Sequence, residues 1–325
     1  MASSSSPVPD LATQVARLYF DRQMTRVEIA AHLGISRFRV ARLIDSALAD
    51  GLVRIEYRDV PAEDRALATE MEERFGLDLC AVADVADDAD TGGLDVVARL
   101  AGAVIDGLIG PSEVIGIAWG STMAAVVRQI PTRAATTIEV VQLAGSSTRL
   151  GRERDAGQLA RSLADRLGAT EYPIYAPAFV ASAEIRAALA RDPEVAGALT
   201  RFATLTLAII GIGAMPSATG GAPQGASSLV RSGVLDDTEV ARLVALGAVG
   251  DLVVHPFDAA GQFIAPDLAE RSVAIGVDAL RRVPRVVAVA AGSAKAAAIR
   301  GALASGVVRI LITDRVTARA VLASV

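Results

Sequence analysis

The sequence predicts an α/β fold in which a small N-terminal winged helix-turn-helix domain (residues 1–60) and a linker helix (61–76) precede a large parallel-sheet α/β domain (77–325). Three observations carry this reading. From Asp10 to Gly51 apolar side chains recur at helical spacing in three short blocks, broken at Thr25 and at Gly34. Beyond Leu79, strand-like apolar runs alternate with helical stretches. Glycines and small hydroxylic residues follow several of those runs, where parallel strands of such folds end and bind ligands.

In the first block Leu11, Val15, Leu18 and Tyr19 share a helical face. Thr25 with Glu28 three residues on forms a capping-box pair for a second helix that ends at Gly34. Ser36 then caps a third helix, whose Val40, Leu43, Ile44, Ala47 and Leu48 make one apolar stripe up to Gly51. The alternation from Leu52 to Tyr57 reads as a short wing strand. With the stripe turned inward, Arg37, Phe38, Arg39 and Arg42 project where helix-turn-helix proteins meet base edges, while Thr25, Arg26 and Ser36 at helix starts suit phosphate oxygens. Between Arg22 and Arg42 stand five arginines against one acid, Glu28, although the chain as a whole has net charge −5. Positive charge is concentrated where phosphates would lie, and double-stranded DNA is the expected partner. His32 has no companion metal ligand and reads as a surface or cap residue.

The linker helix is expected to run from Pro61 to Phe75, with Glu63 and Asp64 in its first turn and Gly76 after its end. Leu67, Met71 and Phe75 fall on one face, either a dimerisation seam or a face packed on the next domain. The expected strands of the large domain are Leu79 to Val85, Val114 to Ala118, Ile138 to Leu143, Leu205 to Ile210, Val286 to Ala290 and Val307 to Thr313, with helices on both faces of the sheet.

Composition narrows the function classes. With 52% hydrophobic and 21% charged residues the chain is long enough for a large core and is neither disordered nor a basic nucleic-acid coat. The apolar runs fall short of the roughly 20 residues of a membrane span. Met1 to Pro9 reads as a Ser- and Pro-rich tail without signal-peptide features, so a cytoplasmic location and no membrane partner are expected. The single cysteine, Cys80, lies in an apolar run and reads as a buried small hydrophobe; no metal and no cofactor is expected. Lys295 is the only lysine among 32 basic side chains and asparagine is absent, a bias typical of a GC-rich genome. A lysine that survives such a bias is a candidate for a required ammonium group.

Four turns carry candidate ligand chemistry. Gly120, Ser121 and Thr122 follow a strand and open a helix, where backbone amides, hydroxyls and the helix dipole could cradle a phosphate. Gly145 and Ser146, and Gly211 and Gly213, follow two further strands; each pair alone is more often a tight turn than a binding loop. Lys295 sits just beyond Gly292 and Ser293 in the first turn of a helix, where the dipole disfavours a cation unless an anion or carbonyl lies near. Asp251, within GAVGDLVVHPFD, is costly to bury unless it bonds a sugar hydroxyl or a backbone amide.

Taken in order, LGISRFRVARLI, GIAWGSTMAAVV, VVQLAG, AIIGIGA, GAVGDLVVHPFD and AVAAGSAKAAAIRGALASGVVRILITD make the chain from about Leu11 onward resemble the SorC family of sugar-binding transcription regulators. The resemblance implies an effector domain similar to sugar-phosphate isomerases and glucosamine-phosphate deaminases, in a homo-oligomer (dimer or tetramer) whose operator affinity changes on effector binding. It further implies that Gly120, Ser121 and Thr122 hold a phosphate, Asp251 holds hydroxyls, and Lys295 meets the anionic or carbonyl end of a small phosphorylated sugar. The chain departs from the family pattern at Ala144, where a polar residue is common, and at Val254 and His255, where Gly-Arg is usual. An anion contact shifted to His255 would follow from that change. The alternative is an enzyme, a sugar-phosphate isomerase or deaminase with an accessory DNA-binding domain, using Asp251, Lys295 and His255 for proton transfer. The DNA-reading segment favours the regulator, with no catalytic residue.

Overall fold

A computed structural model describes residues 10–22, 24–53, 61–85, 93–134, 137–151, 154–216 and 227–323. The chain divides into two compact units, Met1–Asp59 and Val60–Val325.

In the small unit, α1 (Leu11–Ala16) continues into a wider π-type turn, Arg17–Asp21, followed by α2 (Arg26–Leu33) and α3 (Arg37–Ala49). The capping box forms: Thr25 Oγ1 accepts from Glu28 N–H (3.3 Å) and Glu28 Oε2 accepts from Thr25 N–H (2.8 Å). These bonds from Thr25 hold the Glu28 carboxyl below its ordinary pKa. Gly34 closes α2 in the left-handed region (φ 65°), and Ser36 Oγ accepts from Arg39 N–H (3.2 Å) to start α3. Val15, Ile29, Val40 and Ile44 form the core of this unit. The inward stripe of α3 is shorter than its pattern: Ala47 is buried, but Leu48 is exposed. The expected wing strand falls largely on residues 54–57, outside the described residues, as does the tail Met1 to Pro9.

The large unit opens with α4 (Arg65–Phe75), four residues later than the sequence reading placed it. Asp64 is the cap, accepting from Leu67 N–H at 3.1 Å, and Glu63 precedes the helix in an antiparallel bridge to Ala83. Backbone pairing of this approach segment with the end of the first strand thus holds the chain extended to Asp64. The stripe of α4 buries Met71 with Ala68 in the core of this unit.

Strand β1 (Leu79–Ala83), α5 (Gly93–Leu108), β2 (Val114–Ile117), α6 (Ser121–Gln129), β3 (Glu139–Gln142), α7 (Ala156–Leu167) and β4 (Thr170–Tyr172) follow. Next come α8 (Ala183–Leu189), α9 (Pro193–Arg201), β5 (Leu207–Ala214), α10 (Ser228–Arg231), α11 (Asp237–Ala245), β6 (Ala248–Leu252), β7 (His255–Asp258) and α12 (Pro266–Glu270). The chain ends with α13 (Val277–Arg282), β8 (Arg285–Val289), α14 (Ala296–Ala304), β9 (Ile310–Asp314) and α15 (Arg315–Ala323).

Among the described residues seven strands form one parallel sheet in the order β1-β9-β8-β5-β2-β3-β4. Alternate residues of one strand enter different cores: Cys80 and Val82 lie in one cluster, Ala81 and Ala83 in the other. Both faces are therefore buried, as continuous Val- and Ile-rich strands require. Two strands go beyond the expected parallel pattern. β5 extends past the sheet to Ala214, and β6 pairs with that extension antiparallel, with Gly213 opposite Asp251, before turning back into β7. This hairpin at the carboxyl end of β5 places an acid over the strand ends.

Candidate functional site

The carboxyl ends of β2 and β5, the hairpin of β6, α10 and the turn before α14 line a cleft. Its walls include Gly120, Ser121, Thr122, Gly211, Gly213, Asp251 and Lys295, seven of the ten effector residues expected from sequence. Gly120 has φ 118°, a conformation suited to glycine, and turns the chain from β2 into α6. The first amides of α6 have no partner within the helix, and Gly120, Ser121 and Thr122 at that end line the cleft. Gly213 is dictated by packing, because a Cβ there would lie 2.2 Å from Asp251 Oδ1.

Asp251 is buried, and its Oδ1 has no hydrogen-bond partner among the described residues. Burial raises its pKa from 3.8 to about 6, against the opposing effects of the Ser227 hydroxyl and the Lys295 charge. Lys295 is also buried, closing a 3-10 turn (Ser293–Lys295) and capping α14, so it lies just before the α-helix and not in its first turn. Its Nζ donates to the Ile212 carbonyl at 3.0 Å. Burial lowers its pKa from 10.5 to about 8, Asp251 opposing and Arg231 adding to the shift. A solvated lysine does not describe this residue.

Asp251 therefore costs stability when ionised, and the sign follows from its direction of shift. The native state holds the Asp251 proton more tightly than the unfolded chain does, so stability is full below pH 3.8 and declines as pH rises through about 6. Asp251→Asn removes this loss. The variant is expected to be more stable than the parent at pH 7.5 by on the order of 1 to 2 kcal/mol, the advantage fading toward pH 4. Thermal melting across that range checks it, and an advantage independent of pH would contradict it.

The remaining effector candidates lie elsewhere. Gly145 is small because a Cβ would meet the Ala176 carbonyl at 2.5 Å. Ser146 donates to Asp155 Oδ1 (2.9 Å) and lines a separate groove with Gln142 and Tyr175. His255 is buried, its Nε2 2.7 Å from the Ile275 carbonyl, and burial holds its pKa below the ordinary value. It is not among the residues lining the cleft.

Ser228, Arg231 and Val253, which carry little local signal in the sequence, also line the cleft. Arg231 Nη2 donates to Ser121 Oγ at 3.2 Å, bringing a second cation to the start of α6. The legible trace was a lone arginine after the Ser227-Ser228 pair that opens α10. Val253 has φ 59°, unusual for a β-branched residue, and so places local strain at the cleft wall.

In the small unit Thr25, Arg26, Ser36, Arg37, Phe38, Arg39 and Arg42 are all exposed. Phe38 is 68% accessible, with the Arg37 guanidinium 5.0 Å from its ring centroid. A large aromatic left in water beside arginines at a helix start forms a surface of cationic and apolar groups.

The Sugar-bind family model, described as "Putative sugar-binding domain", matches residues 60–323. The erythritol catabolism regulatory protein EryD of Brucella abortus is 33% identical over 96% of both chains. The sorbitol operon regulator of Klebsiella pneumoniae is 27% identical over 96% of this chain and 97% of its own. The crystal structure of full-length SorC from the same organism superposes with a TM-score of 0.70 at 25% identity, covering 95% of this chain and 97% of that one.

Proposed function

Because this chain belongs to the SorC family of transcription regulators with a sugar-binding domain, we propose that the small unit reads an operator and the cleft of the large unit senses a small phosphorylated sugar. The observation that carries the sensor reading is the buried Asp251 carboxyl, whose Oδ1 has no partner among the described residues, in a residue that lines the same cleft as Lys295 and the start of α6. In this reading the Gly120-Ser121-Thr122 turn and Arg231 receive the phosphate, Asp251 accepts from a sugar hydroxyl, and Lys295 donates to an anionic or carbonyl oxygen. Each assignment follows from charge and hydrogen-bonding capacity: a bound hydroxyl would give Asp251 Oδ1 the donor it lacks, and an anion would offset the cost of the buried ammonium.

For the DNA end we propose that Arg37, Phe38, Arg39 and Arg42 face the major groove while Thr25, Arg26 and Ser36 hold phosphates. A homo-oligomer, a dimer or a tetramer, would place two such helices about 34 Å or a multiple apart on a pseudo-palindromic site. The protein would act in the cytoplasm without catalysing a reaction. Its named relatives being regulators favours this over an isomerase or deaminase.

A thermal-shift screen of paired sugars and sugar phosphates tests the sensor. Ligands that bind the folded state raise its melting temperature, so a phosphorylated sugar should raise it at a concentration where its unphosphorylated parent does not. Preference for the parent sugar would overturn the phosphate cradle.

A further inference from the structure

Asp314 ends β9 and caps α15: its Oδ1 accepts from Thr317 N–H at 2.7 Å. Its Oδ2 accepts from Thr317 Oγ1 (2.7 Å) and from the amide of Gly292 (3.0 Å), which also lies 2.8 Å from Thr317 Oγ1. Gly292, at φ 103°, opens the turn that ends in Lys295. The lysine turn therefore hangs from the cap of α15 by its first amide.

Arg315, the next residue, faces the other way. Its Nε lies 3.0 Å from Asp64 Oδ2 and its Nη2 2.6 Å from Asp84 Oδ1. The other oxygen of Asp64 caps α4 through Leu67 N–H, and α15 packs against α4. In chain order α4 is the first described helix after the small unit, which ends at Asp59. One guanidinium thus joins the cap of that helix to the cap of α15.

We propose that the start of α15, Asp314–Arg315 with Thr317, is the joint that passes occupancy of the cleft at Lys295 to the N-terminal cap of α4. The proposal rests on the cleft being the effector site. A ligand that takes the Lys295 ammonium away from the Ile212 carbonyl displaces the turn about Gly292. Asp314 and Thr317 are buried and bond the turn and their own helix with the same atoms, so the turn cannot shift while both sets of bonds persist. A partly satisfied buried network is unfavourable, which gives the joint two discrete arrangements instead of a graded one. In one arrangement Arg315 spans Asp64 and Asp84. In the other it releases Asp64, and the first turn of α4 loosens.

Hydrogen exchange of the full chain, read by mass spectrometry at the first turns of α4 and α6, tests the joint with two perturbations: saturating inorganic phosphate, and the substitution Lys295→Met. Each is expected to change exchange severalfold at the first turn of α4 in the parent protein. With Arg315→Ala the change at α4 should vanish while phosphate protection at α6 persists. Arg315→Lys, which retains one ion pair, should restore part of it. If Arg315→Ala unfolds the cap by itself, Arg315→Gln, which keeps a donor but no charge, takes its place in the comparison. Protection at α6 with an unchanged α4 in the parent, or a response at α4 that survives loss of Arg315, overturns the joint and leaves the sensor reading intact. Absence of protection at α6 counts against the phosphate cradle instead, and the Lys295→Met arm then decides the joint without any ligand.

Discussion

Lys295→Ala will bind the phosphorylated sugar ten- to a hundredfold more weakly than the parent protein, by calorimetry with the ligand that the thermal screen selects. The ammonium is held among buried groups 3.0 Å from the Ile212 carbonyl, so a ligand oxygen there would gain a charge-assisted bond largely shielded from water. Such bonds contribute roughly 1.5 to 3 kcal/mol, which sets the expected range. Alanine also leaves Asp251 buried without its neighbouring cation, so the carboxyl should become harder to ionise and still able to meet a hydroxyl. Equal affinity for the two proteins would remove Lys295 from the ligand. An equal loss of affinity for the phosphorylated sugar and for a neutral sugar would assign it to the carbonyl end and not to an anion.

The double substitution Arg37→Ala with Arg39→Ala will weaken operator binding by roughly 1 to 3 kcal/mol for each arginine that reads a base through two donors. Both side chains are exposed on a helix whose buried stripe is Val40, Ile44 and Ala47, so the fold should survive the change. Salt dependence separates the possible roles. A lost phosphate contact lowers the slope of affinity against salt and acts equally on all DNA, whereas a lost base contact relaxes the preference at one position. Unchanged operator affinity in the folded double variant would remove α3 from the proposed role.

The parts legible in the sequence are those governed by local rules. The capping box at Thr25, the cap at Ser36 and the glycine after α2 concern neighbours in the chain, and each forms as its residues dictate. The parallel sheet was legible because strands buried on both faces are continuous apolar runs. The β6–β7 hairpin was not: Gly250 and Asp251 interrupt the apolar pattern, and their pairing is set by the extension of β5 across 38 residues of chain from Gly213. The start of α4 was misplaced for a similar reason, because Pro61 and two acids look like a helix start until the pairing of residues 62–64 with β1 is known.

Within the site, Gly120, Ser121, Thr122, Asp251 and Lys295 were visible as residue types out of keeping with their surroundings. Gly145 and Ser146 had the same local signature, yet a close backbone approach and a bond to Asp155 account for them. Arg231 was hidden because an exposed arginine on a short helix carries no local sign of which strand end it faces. His255 stood out as an unusual residue at a family position, but its ring bonds the Ile275 carbonyl, a contact 20 residues away that periodicity does not reveal.

Occupancy of the cleft by a phosphorylated sugar is expected to set operator affinity. Fluorescence anisotropy tests it most directly, with a labelled duplex that the protein has selected from random DNA, titrated at constant ionic strength with and without the sugar phosphate. A ligand and an effector-controlled site are coupled through differential affinity of two states, typically five- to 150-fold. A shift of that order is expected for the phosphorylated sugar and none for its unphosphorylated parent at the same concentration. Operator affinity that stays unchanged while calorimetry shows the sugar phosphate bound in the cleft would contradict it.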